Sequence, residues 1–418
     1  MQPMRDRTSG SDPAETDRRT LAFGLGAVAL SFLIYVLASL RFDAGRPDFF
    51  YLADAFLHGR LWLDRTFGPW DNVIIGDRVY VPFAPFPAIA FTPLVALIGP
   101  VAADRWEQII DAAIAAIDVG LCWWLMGRLG VRTVVERIWL VFLLGFSTQI
   151  LWVTTRGGVW HTGHLIAMLL TLTGLVETFG RRRPWLLGLL VGAAFLTRAP
   201  LALAAPFFAW VVADREGVRS LFAPSSWPWR SWLVYGIAIA PAVLFALWYN
   251  AVRFRSPLES GYGLASLPEF LAVERAQGLF SISHLNANID YLLLKLPKLF
   301  ESRPDGSIAW FLPPRPDGLG MSILLTSPGL LLALRADWRS RMTIALGLTA
   351  LAVLIPSLLY YGGGWLQYGY RYALDSIPFV IAMVGLAVAR HGLPAWGKVL
   401  IVFGMVINVL GVYWAYNL

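Results

Sequence analysis

The chain has one cysteine, Cys122, among its 418 residues, so no intramolecular disulfide can form. It lies in an apolar run beside Trp123 and Trp124 and reads as a packing residue. Charge is scarce as well: 15% of residues are charged against 57% hydrophobic, a balance that excludes an ordinary soluble domain. No internal repeat or low-complexity tract occurs, which leaves solenoids and inverted-repeat transporters without sequence support. The basic surplus of +7 forms no continuous patch, so nucleic acid is not an expected partner. No segment on the expected cytoplasmic side is large enough to be a nucleotide-sugar domain.

What is present is a series of apolar runs long enough to cross hydrocarbon. Leu21 to Leu40 is the first, too long for a cleaved signal core, and Arg18 and Arg19 before it place a tail over residues 1–20 in the cytoplasm. The others are Trp106 to Met126, Ile138 to Thr154, Thr162 to Phe179, Trp185 to Leu196, Leu201 to Val212, Trp232 to Asn250, Met321 to Leu334, Met342 to Tyr361, Ala373 to Ala389 and Val399 to Tyr416. The expected fold class is therefore an all-α integral membrane protein of about eleven transmembrane helices, with residues 21–418 forming a single polytopic domain.

Val81 to Pro100 is apolar too, but carries five prolines that free backbone groups lipid cannot satisfy. Leaving it outside the count puts the short loops with Arg128, Arg132 and Arg137, Arg181 to Arg183, Arg215 and Arg219, Arg335, Arg339 and Arg341, and Arg390 and Lys398 all in the cytoplasm, as the positive-inside rule requires. Two long loops, 41–105 and 253–320, then face outward, and loops of this length are functional or disordered. The aromatic richness of the first favours order, with interfacial helices expected at Phe49 to Gly59 and Val81 to Leu97.

Several polar residues stand out against this background. Asp48, shortly after the first span in RPDFFYLADAFLHGRL, holds a carboxylate at the outer surface, where it can take a proton from an acceptor hydroxyl as a sugar transfers. It is equally a good helix N-cap after Pro47. His161 and His164 in RGGVWHTGH share a face of any helix that starts near Trp160. Two ligands are not a metal site, so a phosphate or sugar contact is favoured over a divalent cation, the one cofactor the pattern admits. Arg198 in LTRAP interrupts apolar sequence and needs a partner, a phosphate or the headgroup layer. Arg371 and Asp375 are spaced for an intrahelical ion pair, although Arg371 can also bind a donor phosphate bidentately, with Tyr370 and Tyr372 beside it to pack on sugar or lipid. Glu107, Asp111 and Asp118 form one stripe of the second span, either a proton or ion path or a polar seam between helices. Glu259 can assist acceptor binding or simply be solvated.

Asp48, Tyr51, Ala53, Gly59 and the proline-rich Tyr80 to Pro87 resemble the first outer loop of C-type membrane glycosyltransferases, the superfamily of protein O-mannosyltransferases and aminoarabinose transferases. NAVRFRSPLESGYG (Asn250 to Gly263) and YGYRYALD (Tyr368 to Asp375) are similar to segments of bacterial members. The resemblance implies an inverting transferase of the bacterial inner membrane. Its donor would be a sugar on a polyprenyl phosphate, its acceptor a glycan, lipid or protein of the cell envelope. The catalytic base would be an acid of the first outer loop, by position Asp48. Phe49 and Phe50 follow where the common pattern has a second acid, so Asp43 and Asp54 stay open as the base. The reading from another class is a transporter or flippase of a lipid-linked glycan, with Glu107, Asp111 and Asp118 lining its path.

Overall fold

The computed structural model describes residues 13–40, 42, 45–215, 227–316, 318–364 and 367–416. Asp43, Arg219 and most of the N-terminal tail lie outside the described residues. Helix α1 (Pro13–Ser39) is the first apolar run, and α2 (Asp48–Leu57) follows it in the first long loop. The strands β1 (Val73–Ile75) and β2 (Arg78–Tyr80) form an antiparallel hairpin there. Its turn places Gly76 at φ 62°, the left-handed conformation that glycine adopts without steric cost. Next come α3 (Phe86–Ile98), which tolerates Pro93, and α4 (Pro100–Arg105).

The apolar body continues through α5 (Glu107–Arg128), α6 (Val134–Phe146), α7 (Ile150–Arg156), α8 (Val159–Thr178), α9 (Pro184–Phe195), α10 (Ala205–Arg215) and α11 (Trp229–Phe254). The second long loop holds α12 (Glu269–Ala276), α13 (Leu285–Ile289) and a second antiparallel hairpin, β3 (Lys298–Ser302) with β4 (Ile308–Arg315). The chain closes with α14 (Ile323–Thr326), α15 (Arg341–Leu359), α16 (Ile377–His391) and α17 (Ala395–Tyr416). The two hairpins correct the all-α expectation. Both lie in the long loops.

Six of these helices are long and apolar enough to cross a membrane, and seven spans result if α6 and α7, bent by 47°, count as one. The expectation of about eleven rests on four further apolar stretches that are shorter or broken: α9, α16, the 3-10 turn Ala199–Ala204 with α10, and α14 with the 3-10 stretch Pro328–Arg335. The α6–α7 break has a local cause. Thr148 Oγ1 donates to Leu144 O at 2.6 Å and accepts from Ile150 N at 3.3 Å, so its side chain replaces helical backbone bonds. Pro328 likewise removes a donor after α14.

Helix α5 packs against α1, α6 and α8 at the centre, while large apolar side chains point outward. Examples are Leu21 and Leu25 on α1, Ile237 and Leu244 on α11, Leu348 on α15 and Val406 on α17. In water such surfaces would exceed what a soluble monomer exposes, so they belong against lipid and the chain is a multi-pass membrane protein.

The contacts sort the connections between two ends. Backbone bonds Asp71 N to Ser266 O and Ser266 N to Asn72 O, both 2.8 Å, join the two long loops, and Arg253 Nη1 donates to Val81 O at 2.8 Å. At the other end the short basic connections meet: Leu393 N donates to Glu136 Oε1 at 3.1 Å, Arg390 pairs with Asp337, and Arg182 pairs with Asp214 at 2.8 Å.

Candidate functional site

The long-loop end of the bundle gathers most of the polar residues singled out above. Its first component is the entry to α2. The expected N-cap role of Asp48 does not occur: Pro47 occupies that position and makes no side-chain cap bond. The Asp48 carboxylate instead receives Arg46, with Nε to Oδ2 at 3.0 Å and Nη2 to Oδ1, the guanidinium folding back over Pro47 onto the helix start. This fork is a strong bidentate arrangement. It leaves Asp48 fully buried. Burial pushes its carboxyl above the usual range, against the opposing pull of Arg46.

Arg46 reaches further. Nη1 donates to Trp70 O and Nη2 to Asn72 Oδ1 at 2.9 Å, so one guanidinium grips both neighbours of Asp71. Asp71 has a left-handed backbone, φ 54°, a conformation that Asp tolerates better than most residues. Its Oδ2 accepts Trp160 Nε1 at 2.9 Å, and the same indole ring lies 5.6 Å from the Arg46 guanidinium. Burial raises the Asp71 carboxyl above its ordinary value, while Trp160, Arg46 and Arg371 oppose the shift.

The start of α8 provides the next component. Gly158 has φ 83°, and a Cβ there would stand 2.7 Å from Gly45 Cα. Only glycine allows the first loop to cross so closely, and Val159 N donates to Arg46 O at 2.9 Å across this contact. His161 and His164 follow on α8 as expected. His161 Nδ1 donates to Gly157 O at 2.7 Å and His164 Nδ1 to Asp375 Oδ1 at 3.2 Å, which fixes each ring's orientation. The Nε2 atom of each is buried without a hydrogen-bond partner. Among the described residues no three His, Cys, Asp or Glu side chains are grouped to hold a metal ion.

The expected Arg371–Asp375 ion pair is absent from the bonds of either residue. Arg371–Asp375 is a 3-10 turn, in which residues four apart do not stack. Asp375 turns to Arg198, 177 positions away, whose Nε lies 2.6 and 2.7 Å from its two oxygens. Arg371 is buried, Nη1 donates to Gly364 O at 3.2 Å, and Nε has no partner. It stands within electrostatic reach of Asp71, His161 and His164. The Tyr372 ring lies 5.6 Å from the Arg198 guanidinium and 5.2 Å from that of Arg371. Tyr370 is turned away, its hydroxyl donating to Ser357 O at 2.9 Å. Tyr262, Tyr360 and Tyr361 extend the aromatic wall from Tyr372 toward Phe83.

Two expected residues are placed elsewhere. Glu259 Oε1 accepts Gly261 N at 2.6 Å within its own turn, and Asp54 lies 3.7 Å from His58 on the half-buried side of α2. The residues that sequence reasoning missed are Arg46, Asp71, Asn72 and Trp160. The glycine-centred turn Ile75-Gly76-Asp77-Arg78 between β-branched residues was a legible hairpin signal that would have ordered this part of the loop.

The α5 stripe lies on the other side of the α8 start. Thr162 Oγ1 is 2.9 Å from Asp111 Oδ2 and 3.4 Å from Glu107 Oε1. Glu107 Oε2, Asp111 Oδ1 and both Asp118 oxygens are buried without partners.

No family model matches the chain, and no curated protein matches it. Among solved structures the chain is similar to the archaeal oligosaccharyltransferase AglB from Archaeoglobus fulgidus, determined in complex with an inhibitory peptide and a dolichol-phosphate. The identity is 13% and the TM-score 0.42, over 94% of this chain and 55% of that one. The chain thus spans about half the length of AglB.

Proposed function

We propose that this protein is an inverting membrane glycosyltransferase that moves a sugar from a polyprenyl-phosphate donor to a cell-envelope glycan, lipid or protein. The long loops and the cluster between them lie at the outer face of a bacterial cytoplasmic membrane, and the short basic connections lie inside, in keeping with the positive-inside rule. On this reading the shorter apolar stretches complete about eleven crossings, and α2 and α3 rest at headgroup depth.

One observation carries the reading: a buried arginine with an unused donor, Arg371, stands within electrostatic reach of a half-buried acid of the first long loop, Asp71. Transfer from a lipid phosphate needs both kinds of group. The leaving phosphate departs as an anion and is stabilised by a fixed cation, and the acceptor hydroxyl must lose a proton as it attacks. Arg371 fits the first task. Arg198, already neutralised by Asp375, orients Tyr372 and fixes the rim. His161 and His164 offer two further polar atoms to the sugar or phosphate through Nε2. Sequence resemblance assigns the proton to Asp48, and the buried Asp48 and the half-buried Asp71 are the two acids beside Arg46.

The test is turnover. The protein in lipid vesicles is mixed with a panel of polyprenyl-phosphate sugars and envelope acceptors, and released polyprenyl phosphate is measured. Release that depends on protein and acceptor supports the reading, whereas neither binding nor release of any donor overturns it. The stripe of partnerless carboxylate oxygens on α5 favours one other reading, a transporter of a lipid-linked glycan. That reading predicts movement of the intact donor across the vesicle membrane without release.

A further inference from the structure

The two acids beside Arg46 differ in what they leave free. Both Asp48 oxygens are taken by one guanidinium, and the residue has no exposed surface. A carboxylate in that state, closed off from the surface, is out of an acceptor's reach. Asp71 commits only Oδ2, to Trp160. Its Oδ1 has no hydrogen-bond partner and is not among the buried orphaned atoms, and the residue keeps part of its surface open. Within its electrostatic reach stand Arg46 and Asp48 from the loop, Arg371 from the 3-10 turn, and Tyr262 and Tyr361 from the aromatic wall.

Resting on the glycosyltransferase reading, we propose that Asp71 is the catalytic base, with Oδ1 facing the acceptor hydroxyl, and that Asp48 is a positioning residue acting through Arg46. In the step, the acceptor oxygen forms its bond to the anomeric carbon as its proton passes to Asp71 Oδ1. The bond from that carbon to the phosphate oxygen breaks, and its electron pair leaves with the polyprenyl phosphate near Arg371. The proton returns to water afterwards. Asp48 holds Arg46, Arg46 holds Trp70 O and Asn72, and these fix the left-handed turn that presents Asp71. Burial places the Asp71 carboxyl above the ordinary carboxylate range, closer to the working pH of a base.

The experiment measures kcat/KM for sugar transfer against pH in vesicles, together with donor affinity, for wild type, Asp71→Asn, Asp48→Asn and Trp160→Phe. Asparagine keeps both the left-handed backbone and an oxygen for Trp160, so Asp71→Asn should bind donor normally. It should lose about 10²–10⁴-fold in rate, the span that general-base catalysis contributes, and its acidic limb should vanish. Asp48→Asn should turn over more slowly but keep the acidic limb. Trp160→Phe removes a donor that favours the charged carboxylate, so the limb should move to higher pH. This last variant decides the matter even if Asp71→Asn does not fold. An acidic limb that persists in Asp71→Asn, vanishes in Asp48→Asn, or stays in place in Trp160→Phe would overturn the assignment while leaving the transferase reading intact. A wild type that turns over no donor would remove that reading and the assignment with it.

Discussion

Two sets of acids flank the start of α8, and they are held in different ways. Asp48 and Asp375 meet guanidinium groups, and Asp71 meets an indole N–H between two arginines. Glu107 and Asp111 share one hydroxyl, that of Thr162, and Asp118 has no hydrogen-bond partner at all. Charges in a low-dielectric interior persist only where they are paired and hydrogen-bonded. The cluster at the long-loop end can therefore hold separated charge and act on an ionic substrate. On the proposed reading the α5 stripe, which among the described residues has no cation in hydrogen-bond contact, serves helix packing.

The comparison can be broken at its strongest joints first. Replacing Arg46 with Met leaves Asp48 buried without its partner, and breaking a buried pair from one side costs about 3–5 kcal/mol. Thermal unfolding in detergent should show this loss, and the Arg46→Met, Asp48→Leu double variant should recover much of it. Asp375→Ala should cost about the same by stranding Arg198, and it should also weaken donor binding through the displaced Tyr372. On the stripe, Thr162→Val removes the one hydroxyl shared by Glu107 and Asp111. About 1–3 kcal/mol of stability should go with it, with transfer per folded molecule unchanged. Smallest of all, Glu259→Ala should stay within about 0.5 kcal/mol of wild type and leave KM for the acceptor where it was, since the carboxylate serves only its own turn.

The long apolar helices were legible because each run exceeds what hydrocarbon thickness demands. The breaks inside the other runs were not legible: Thr148 and Pro328 sit inside them and act through single local bonds that a hydropathy window averages away. At the site, the residue types were legible and the pairings were not. Asp48, Arg371 and the two histidines announced themselves as polar groups in apolar surroundings. Arg46 reads as an ordinary loop charge until the chain folds it back onto Asp48. The Arg198–Asp375 pair spans 177 positions, and the local spacing of Arg371 and Asp375 suggested a simpler partner that the 3-10 turn forbids. Asp71 was hidden for a related reason: its importance comes from a left-handed turn and from Arg46 gripping its two neighbours, neither of which is written in residue type.

The most direct test of the account compares the two sides of α8 in one assay. Initial rates of sugar transfer from a polyprenyl-phosphate donor are measured in vesicles for Arg371→Ala and for the double variant Asp111→Asn, Asp118→Asn, each corrected for folded protein. The account predicts that Arg371→Ala falls by about 10²–10³-fold, as loss of a charge-stabilising donor does, while the double variant keeps a rate within about twofold of wild type. An active Arg371→Ala beside an inactive double variant would contradict it and place the function on the α5 stripe.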